Sequence, residues 1–137
     1  MPIFRVFHLM PAGDRRSDDP LWDAYVAASI GGRVEAAVMA GLYREAAQVE
    51  CDELARVFPL TNHIEHDWTT NDAVILHADR CRSTSVGDVV LDEAGALHAC
   101  ATMGWRQLDP EHRDAFLAKL AGDIPVLEAG RGAELTP

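Results

Sequence analysis

Two groups of side chains in this chain are of the types that bind zinc in proteins. The first is His63 and His66, with Asp67 beside them. The second lies around a predicted hairpin and consists of His77, Cys81, His98 and Cys100. Imidazole nitrogens and thiolate sulfurs form tetrahedral zinc sites, but neither group has the spacing of a known zinc signature. A small metal-dependent or hydrolytic enzyme that uses one of these groups is therefore an alternative hypothesis, set against histidines and cysteines that are only solvated or buried.

The hydroxyl-rich segment 82–90 (RSTSVGDVV) indicates a different chemistry, because Ser83 and Ser85 lie close to Asp88 in the sequence. A serine nucleophile needs an adjacent base, and the chain has no G-x-S-x-G elbow to arrange one. Hydroxyl and carboxylate side chains in such positions more often bond to nearby backbone groups. Two hypotheses stay open: the segment is a binding surface, or it is an internal brace at the entry of a central strand. Under the brace hypothesis, Asp88→Ala is expected to lower stability by about 1–2 kcal/mol.

Tryptophan side chains supply the remaining candidate for partner binding. Trp22 lies on the apolar stripe of a predicted helix, and Trp105 follows the predicted hairpin beside Met103, so both tryptophans are expected in the core. Trp68 lies in a polar loop, where an exposed indole would anchor a binding partner and a buried one would cover the core. Trp68 therefore joins the two serines and the aspartate of the hydroxyl-rich segment as a candidate binding residue.

The net charge of −10, from 22 acidic and 12 basic side chains, restricts the class of partner. The negative electrostatic field of such a protein repels nucleic acid, so direct binding to DNA or RNA is disfavoured. The carboxylates either keep the protein soluble or form an acidic face that imitates a phosphate backbone and occupies the basic cleft of a DNA-binding protein.

Composition indicates an ordinary globular domain, because 48% of the residues are hydrophobic and 25% are charged. No uncharged run is long enough for a transmembrane helix. Three scattered cysteines without a C-x-x-C motif favour a reducing cytoplasm. The sequence indicates no cofactor.

Apolar periodicity and capping residues predict the elements that position these side chains. In the first half of the chain, these patterns predict a strand over 3–10 and a helix that begins at Pro20, with Asp19 as its N-cap and Gly31-Gly32 at its end. They then predict a short helix near 33–40 and a strand near 42–49. A further helix is predicted over 50–58, and Pro59 is expected to end it. The second half reads as a loop over 60–72, strands over 74–77 and 86–91, a turn over 92–95, a returning strand over 96–102 and a helix that begins at Asp109-Pro110. The expected fold is one α+β domain over 1–127, with a small, mostly antiparallel sheet and helices packed on one face, followed by a flexible tail over 128–137.

Several motifs follow one another in the middle of the chain. They are Glu53-Leu54-x-x-Val57-Phe58, then Asn62, then the 82–90 run, then a hairpin that ends in Gly104-Trp105. Their order resembles the YodL-like domain found in phage, plasmid and conjugative-element proteins, including the large polyvalent proteins of mobile elements. The resemblance covers roughly residues 42–108. Two positions depart from it, since Thr84 replaces an apolar residue of the family's run and Pro59 interrupts a longer helix.

This resemblance implies an accessory protein of a mobile genetic element that counters host defence or adjusts host physiology, and it implies no catalytic residues. The leading hypothesis is accordingly a cytoplasmic, non-enzymatic protein that binds a host or mobile-element protein, with an acidic DNA-mimic surface as one form of that role. A third hypothesis is a structural homodimer that uses Trp68 and the hairpin edge, so the oligomeric state stays open.

Overall fold

The computed structural model describes residues 2–14, 19–61, 74–76 and 82–122. Within these ranges the strands are β1 (Ile3–Leu9), β2 (Tyr43–Glu50), β3 (Val74–Leu76), β4 (Val89–Leu91), β5 (Leu97–Cys100) and β6 (Trp105–Gln107). The helices in the same ranges are α1 (Pro20–Gly31), α2 (Glu35–Ala40), α3 (Val57–Leu60) and α4 (Pro110–Gly122), with a 3₁₀ helix at Leu54–Arg56 before α3. The expected α+β class with an antiparallel sheet is confirmed.

The strands form one open sheet in the order β3-β2-β1-β4-β5-β6, and every neighbouring pair is antiparallel. Strand β1 lies in the middle of the sheet, between β2 and β4. A bulge shifts its register with β2 between Val6 and Phe7. An extra residue on one strand bends the ladder locally, so the two halves of β1 pair in different registers with the same partner.

Both faces of β1 are buried, because alternate side chains point into two different cores. On one face, Phe7 and Leu9 pack with residues of α1, α2 and α4. The Phe7 and Phe116 rings meet edge to face, with centroids 4.9 Å apart. On the other face, Phe4 and Val6 pack against the 3₁₀ helix and α3. The prediction of helices on one face therefore holds for α1, α2 and α4, while α3 covers the opposite face, where Val6 and its neighbours need apolar cover.

Helix α1 begins and ends where the sequence predicted. Its first turn contains Pro20, and the Asp19 carboxylate accepts a hydrogen bond from the Leu21 N–H at 2.9 Å. Its C-cap is Gly32, whose φ of 70° lies in the left-handed region. No helix in the described part of the chain is long and apolar enough to cross a membrane.

Three local predictions are wrong. Residue Glu50 still belongs to β2, opposite Ile3, so the helix predicted over 50–58 starts only with the 3₁₀ turn at Leu54 and runs to Leu60. Pro59 lies inside α3 because the backbone N–H that it lacks belongs to the first helical turn, where such groups have no helical partner. Met103, beside which Trp105 was expected to close the core, is 91% exposed, because the Ala101 N–H bonds to the Gly104 carbonyl and places Met103 at the tip of a tight turn.

The strand predicted over 86–91 is shorter, since β4 begins only at Val89. The two residues before Asp88 form a turn, which the Asp88 N–H closes by donating to the Ser85 carbonyl at 3.0 Å. Strand β6 was not predicted. The tail over 128–137 and most of the predicted 60–72 loop lie outside the described residues.

Gly87 is fixed by a close approach between this turn and α1. Its φ is +96°, and a Cβ added there would lie 2.6 Å from the Ala28 carbonyl oxygen. We expect Gly87→Ala to lower the free energy of unfolding by about 2–4 kcal/mol, through backbone strain plus the clash with α1. Gly95→Ala is the matched control, because Gly95 has a φ of +90° but nothing within 4 Å of an added Cβ. Urea unfolding of both variants measures the difference; equal losses would contradict the close approach.

Candidate functional site

The hydroxyl-rich segment converges on Asp88, whose side chain is completely buried. Its carboxylate accepts four hydrogen bonds: Oδ1 from the Leu9 N–H at 2.8 Å and from Arg82 Nη2 at 2.6 Å, and Oδ2 from the Ser85 N–H at 2.8 Å and from Arg82 Nη1 at 2.7 Å. A buried carboxylate is tolerated only when such donors replace its hydration. Asp88 therefore ties the turn before β4 to the end of β1.

Arg82 covers this carboxylate from the solvent side, with 44% of its side chain exposed. Besides the two bonds to Asp88, its guanidinium donates to the Leu9 carbonyl at 3.0 Å and to the Ser83 carbonyl at 2.9 Å. A bidentate guanidinium–carboxylate pair fixes both groups in one plane. Arg82 thus closes the polar cluster that Asp88 organises.

A hydroxyl and an imidazole lie beneath this ion pair. The Oγ1 of Thr84, which is fully buried, is 3.1 Å from Nε2 of His8, which is 2% exposed. The same Nε2 is 3.9 Å from Asp88 Oδ2. The pKa of His8 is lowered to about 4, chiefly by burial; the Asp88 charge raises it, and the charges of Arg82 and Arg44 lower it. His8 is consequently neutral at pH 7.

These three groups have the residue types of a nucleophile, base and carboxylate set but not its geometry. In such a set the carboxylate bonds one ring nitrogen and the nucleophile bonds the other. Here Thr84 and Asp88 both approach Nε2 of His8. All three side chains are also at most 2% exposed, so a substrate has no access to them.

Other contacts attach the segment to the rest of the fold. The Thr84 N–H donates to the Thr61 carbonyl at 2.8 Å, which links the segment to the end of α3. The Tyr43 hydroxyl donates to the Gly87 carbonyl at 2.7 Å, which links it to β2, and burial raises the pKa of that phenol. The geometry of the 82–88 segment is that of an internal brace.

Of the candidate binding residues, Ser83 is half-buried and Ser85 is exposed. The Ser85 hydroxyl accepts a hydrogen bond from Arg82 at 3.2 Å, so the polar cluster extends to the surface at this point. Trp68, the fourth candidate, lies outside the described residues. Trp22 is half-buried against Tyr25, with ring centroids 5.3 Å apart, and Trp105 packs at the edge of the core on the α3 face.

The structure describes two of the candidate metal ligands. His98 Nε2 is 2.9 Å from Asp92 Oδ2 in the β4–β5 hairpin, so this imidazole already has a partner. Burial raises the pKa of the Cys100 thiol to about 11, and Asp88 adds to the effect, which disfavours the thiolate that zinc requires. No group of three or more potential ligands is present among the described residues. His63, His66, Asp67, His77 and Cys81 lie outside those residues.

Some carboxylates are paired with arginine, and others lie exposed on the surface. Glu45 pairs with Arg5 at 2.9 Å and Glu35 pairs with Arg106 at 2.7 Å, in addition to the buried Asp88 pair. Four exposed carboxylates lie at the end of the sheet where β1 begins: Glu50, Asp52, Glu53 and Glu93. Glu50 and Glu93 both lie beside Ile3, because Glu50 pairs with Ile3 in the β1–β2 ladder and the Glu93 carboxylate accepts the Ile3 N–H at 2.9 Å. Asp52 and Glu53 follow Glu50 just after the end of β2. We call these four residues the acidic end.

Comparisons with protein-family models, with curated proteins and with solved structures find no match to this chain. The YodL-like resemblance stays a prediction from the motifs.

Sequence reasoning singled out Asp88 but missed its partners His8 and Arg82. Leu9 is 79 positions from Asp88 and His8 is 76 positions from Thr84, so no local spacing connects them. Arg82 is only 6 positions from Asp88, and sequence reasoning did not identify it as a partner. One signal was present: His8 interrupts an apolar strand whose neighbours on both sides are core residues. A polar residue in such a run must find a buried partner.

Removing the Asp88 carboxylate should cost more than the sequence suggested. In Asp88→Ala the buried N–H group of Leu9 and the partly buried N–H group of Ser85 lose their acceptor, and an unsatisfied buried donor costs about 1–3 kcal/mol. We therefore expect a loss of about 3–4 kcal/mol in the free energy of unfolding, measured by urea titration. Arg82→Met should cost less, about 1–2 kcal/mol, because Arg82 is partly exposed and both backbone donors keep their acceptor. The reverse order would show that Asp88 is not the organising group.

His8 should make stability fall as the pH drops below neutrality. Its pKa is about 4 in the folded protein, below the 6.5 of a free histidine, so the unfolded chain binds the proton more readily. The stabilisation is complete above pH 6.5 and decreases as the pH falls from there toward 4. Between pH 7 and pH 5 the loss should be about 2 kcal/mol. Urea unfolding of wild type and His8→Gln across this range measures it, and parallel pH profiles would contradict the assignment.

Proposed function

We propose that this chain is an accessory protein of a mobile genetic element that acts by binding another protein, with its acidic end contacting a basic surface of that partner. The observation that carries the proposal is the contrast between two sets of polar groups. Those with the residue types of a catalytic site are buried and bonded to one another, whereas the carboxylates of the acidic end are exposed.

Catalysis requires a reactive group that a substrate can reach. In the cluster around Asp88 the exposed functional groups are the Arg82 guanidinium, which is engaged by the buried carboxylate, and the Ser85 hydroxyl, which accepts a hydrogen bond from Arg82. The neutral imidazole of His8 is likewise enclosed. The cluster therefore favours a structural role, which leaves recognition to the surface.

The acidic end has the electrostatic character that such recognition needs. None of the ion pairs formed among the described residues includes Glu50, Asp52 or Glu53. The described cations near these carboxylates include Arg56, which acts electrostatically on Cys51 together with Asp52 and Glu53, and Arg5, which lines the same surface depression as Glu93. Exposed carboxylates that are not neutralised create a negative potential that attracts a basic partner and raises its association rate. A DNA-binding protein, whose cleft accepts phosphates, fits this description.

The mobile-element setting comes from the resemblance of the 42–108 region to the YodL-like domain. The metal-dependent alternative stays a hypothesis for His63 and His66, or for His77, Cys81, His98 and Cys100. Against the second set, His98 already bonds to Asp92 and burial raises the pKa of the Cys100 thiol.

Affinity capture from a host-cell lysate tests the proposal. The tagged wild-type chain should retain a basic protein at low salt and release it at high salt, because surface charge interactions are screened. Duplex DNA added as a competitor should displace the chain from that protein. A variant with Glu50→Gln, Asp52→Asn and Glu53→Gln should lose at least about tenfold in affinity for it, since charge pairs across an interface are each worth roughly 0.5 kcal/mol or more.

The matched control changes the net charge by the same amount elsewhere, through Asp23→Asn, Glu111→Gln and Asp114→Asn. These three side chains are exposed on α1 and α4. The control should retain the protein at the wild-type salt concentration. Equal retention by both variants, or no protein retained by the wild type, would contradict the proposal.

A further inference from the structure

Strand β6 is one edge of the sheet, and its hydrogen-bond pattern shows which groups face outward. The Ala101 N–H donates to the Gly104 carbonyl at 2.9 Å, and the Leu108 N–H donates to the Leu97 carbonyl at 2.8 Å. Bonded pairs alternate along an antiparallel ladder. Between these two hydrogen-bonded residue pairs, the next bonded pair along the ladder is therefore the one that includes Arg106.

It follows that Trp105 and Gln107 occupy the non-bonded positions of the hairpin. Their backbone N–H and C=O groups point away from β5, toward the open edge. No hydrogen bond within the described residues engages these four groups. A row of open donors and acceptors is a template for an additional strand.

An apolar groove adjoins this edge on the α3 face of the sheet, and it has a volume of about 270 Å³. One wall comes from the 3₁₀ helix and α3 (Ala55, Phe58 and Pro59), and the other comes from the β5–β6 turn and Trp105. Trp105 belongs to both features, because its backbone lies on the open edge and its side chain lines the groove. A strand added to β6 would direct alternate side chains toward the groove.

We infer that an extended segment of a basic protein pairs with β6 as a seventh strand and places an apolar side chain in the groove between α3 and Trp105. This inference rests on the proposed function and names the form of its partner. The backbone groups of Trp105 and Gln107 provide the main-chain bonds, and the groove provides the selectivity, as in other cases of strand addition.

Charge determines which strand fits. A second copy of this chain carries the same net charge of −10, so two copies repel one another. A two-fold pairing of β6 with itself about Arg106 would also place one arginine opposite the other, which is destabilising. By contrast, the exposed Asp52 and Glu53 directly precede the 3₁₀ helix that supplies Ala55 to the groove. Lysine or arginine flanking the apolar side chain would complement them.

The test is a selection of random twelve-residue peptides, displayed as fusions to their messenger RNA, on the purified full-length protein. Enriched peptides should alternate apolar and other residues and should carry an excess of lysine and arginine. Synthetic copies of them should protect the amide protons of Trp105 and Gln107 from exchange in nuclear magnetic resonance spectra.

Gln107→Pro is the decisive variant. Its ring removes an outward N–H and obstructs an incoming strand, while the hairpin's own bonds remain, since proline is tolerated at such an edge position. Gln107→Thr keeps the N–H and is the control. We expect Gln107→Pro to weaken peptide binding at least about tenfold and Gln107→Thr to leave it unchanged, with both variants melting near the wild-type temperature. If Gln107→Pro does not fold, Ala55→Phe is the second variant. Its ring fills the groove from the opposite wall and should also weaken peptide binding.

Several outcomes overturn the inference: enriched peptides that are acidic, peptides that bind Gln107→Pro as tightly as wild type, or protection of amides elsewhere. A wild-type dimer that Gln107→Pro converts to a monomer would assign the edge to a second copy instead. If Gln107→Pro still captures the salt-sensitive protein from lysate, the strand-addition inference fails while the proposed function stands. If wild type captures nothing but selects strand-like basic peptides, the proposed function fails separately.

Discussion

The carboxylate of Asp88 holds together parts of the chain that are far apart in sequence. It has no exposed surface, and it accepts bonds from the end of β1, from its own turn and from Arg82. Desolvating a carboxylate is costly unless donors surround it, so the positions of these three segments are coupled. Gly87, one residue earlier, brings the same turn within van der Waals distance of α1, where a side chain would clash. The entry of β4 is thereby fixed against both the sheet and a helix.

A polar cluster of this kind at the heart of the sheet is compatible with the apolar cores on either side because its members satisfy one another. His8 lies in a strand whose flanking residues are buried on both faces, and its ring stays neutral there. Thr84 supplies the hydroxyl that faces this ring. An apolar residue at position 84 would leave the imidazole without that contact.

The surface has a different character from this interior. Part of the acidic excess is neutralised where a carboxylate meets arginine, as at Glu35 and Glu45, and the remainder includes the four carboxylates at the acidic end. Strand β6 leaves one margin of the sheet open beside an apolar groove. Recognition of an extended basic segment would use both the exposed carboxylates and the open edge. Strand β6 is held in position by its hydrogen bonds to β5, which belongs to the buried part of the sheet.

The sequence by itself determined the features that depend on neighbouring residues. Asp19-Pro20 and Gly32 set the ends of α1, and the turn chemistry before Ala96 set the β4–β5 hairpin, because capping and turn bonds join residues only a few positions apart. Tertiary structure alone decided the bond between Leu9 and Asp88, the approach of His8 to Asp88, the pairing of β6 and the face that α3 covers. Those depend on strand register, and a shift of one residue moves a side chain to the opposite face of the sheet. The bulge in β2 opposite Val6 and Phe7 shows how a register change that no local pattern signals decides what each side chain contacts.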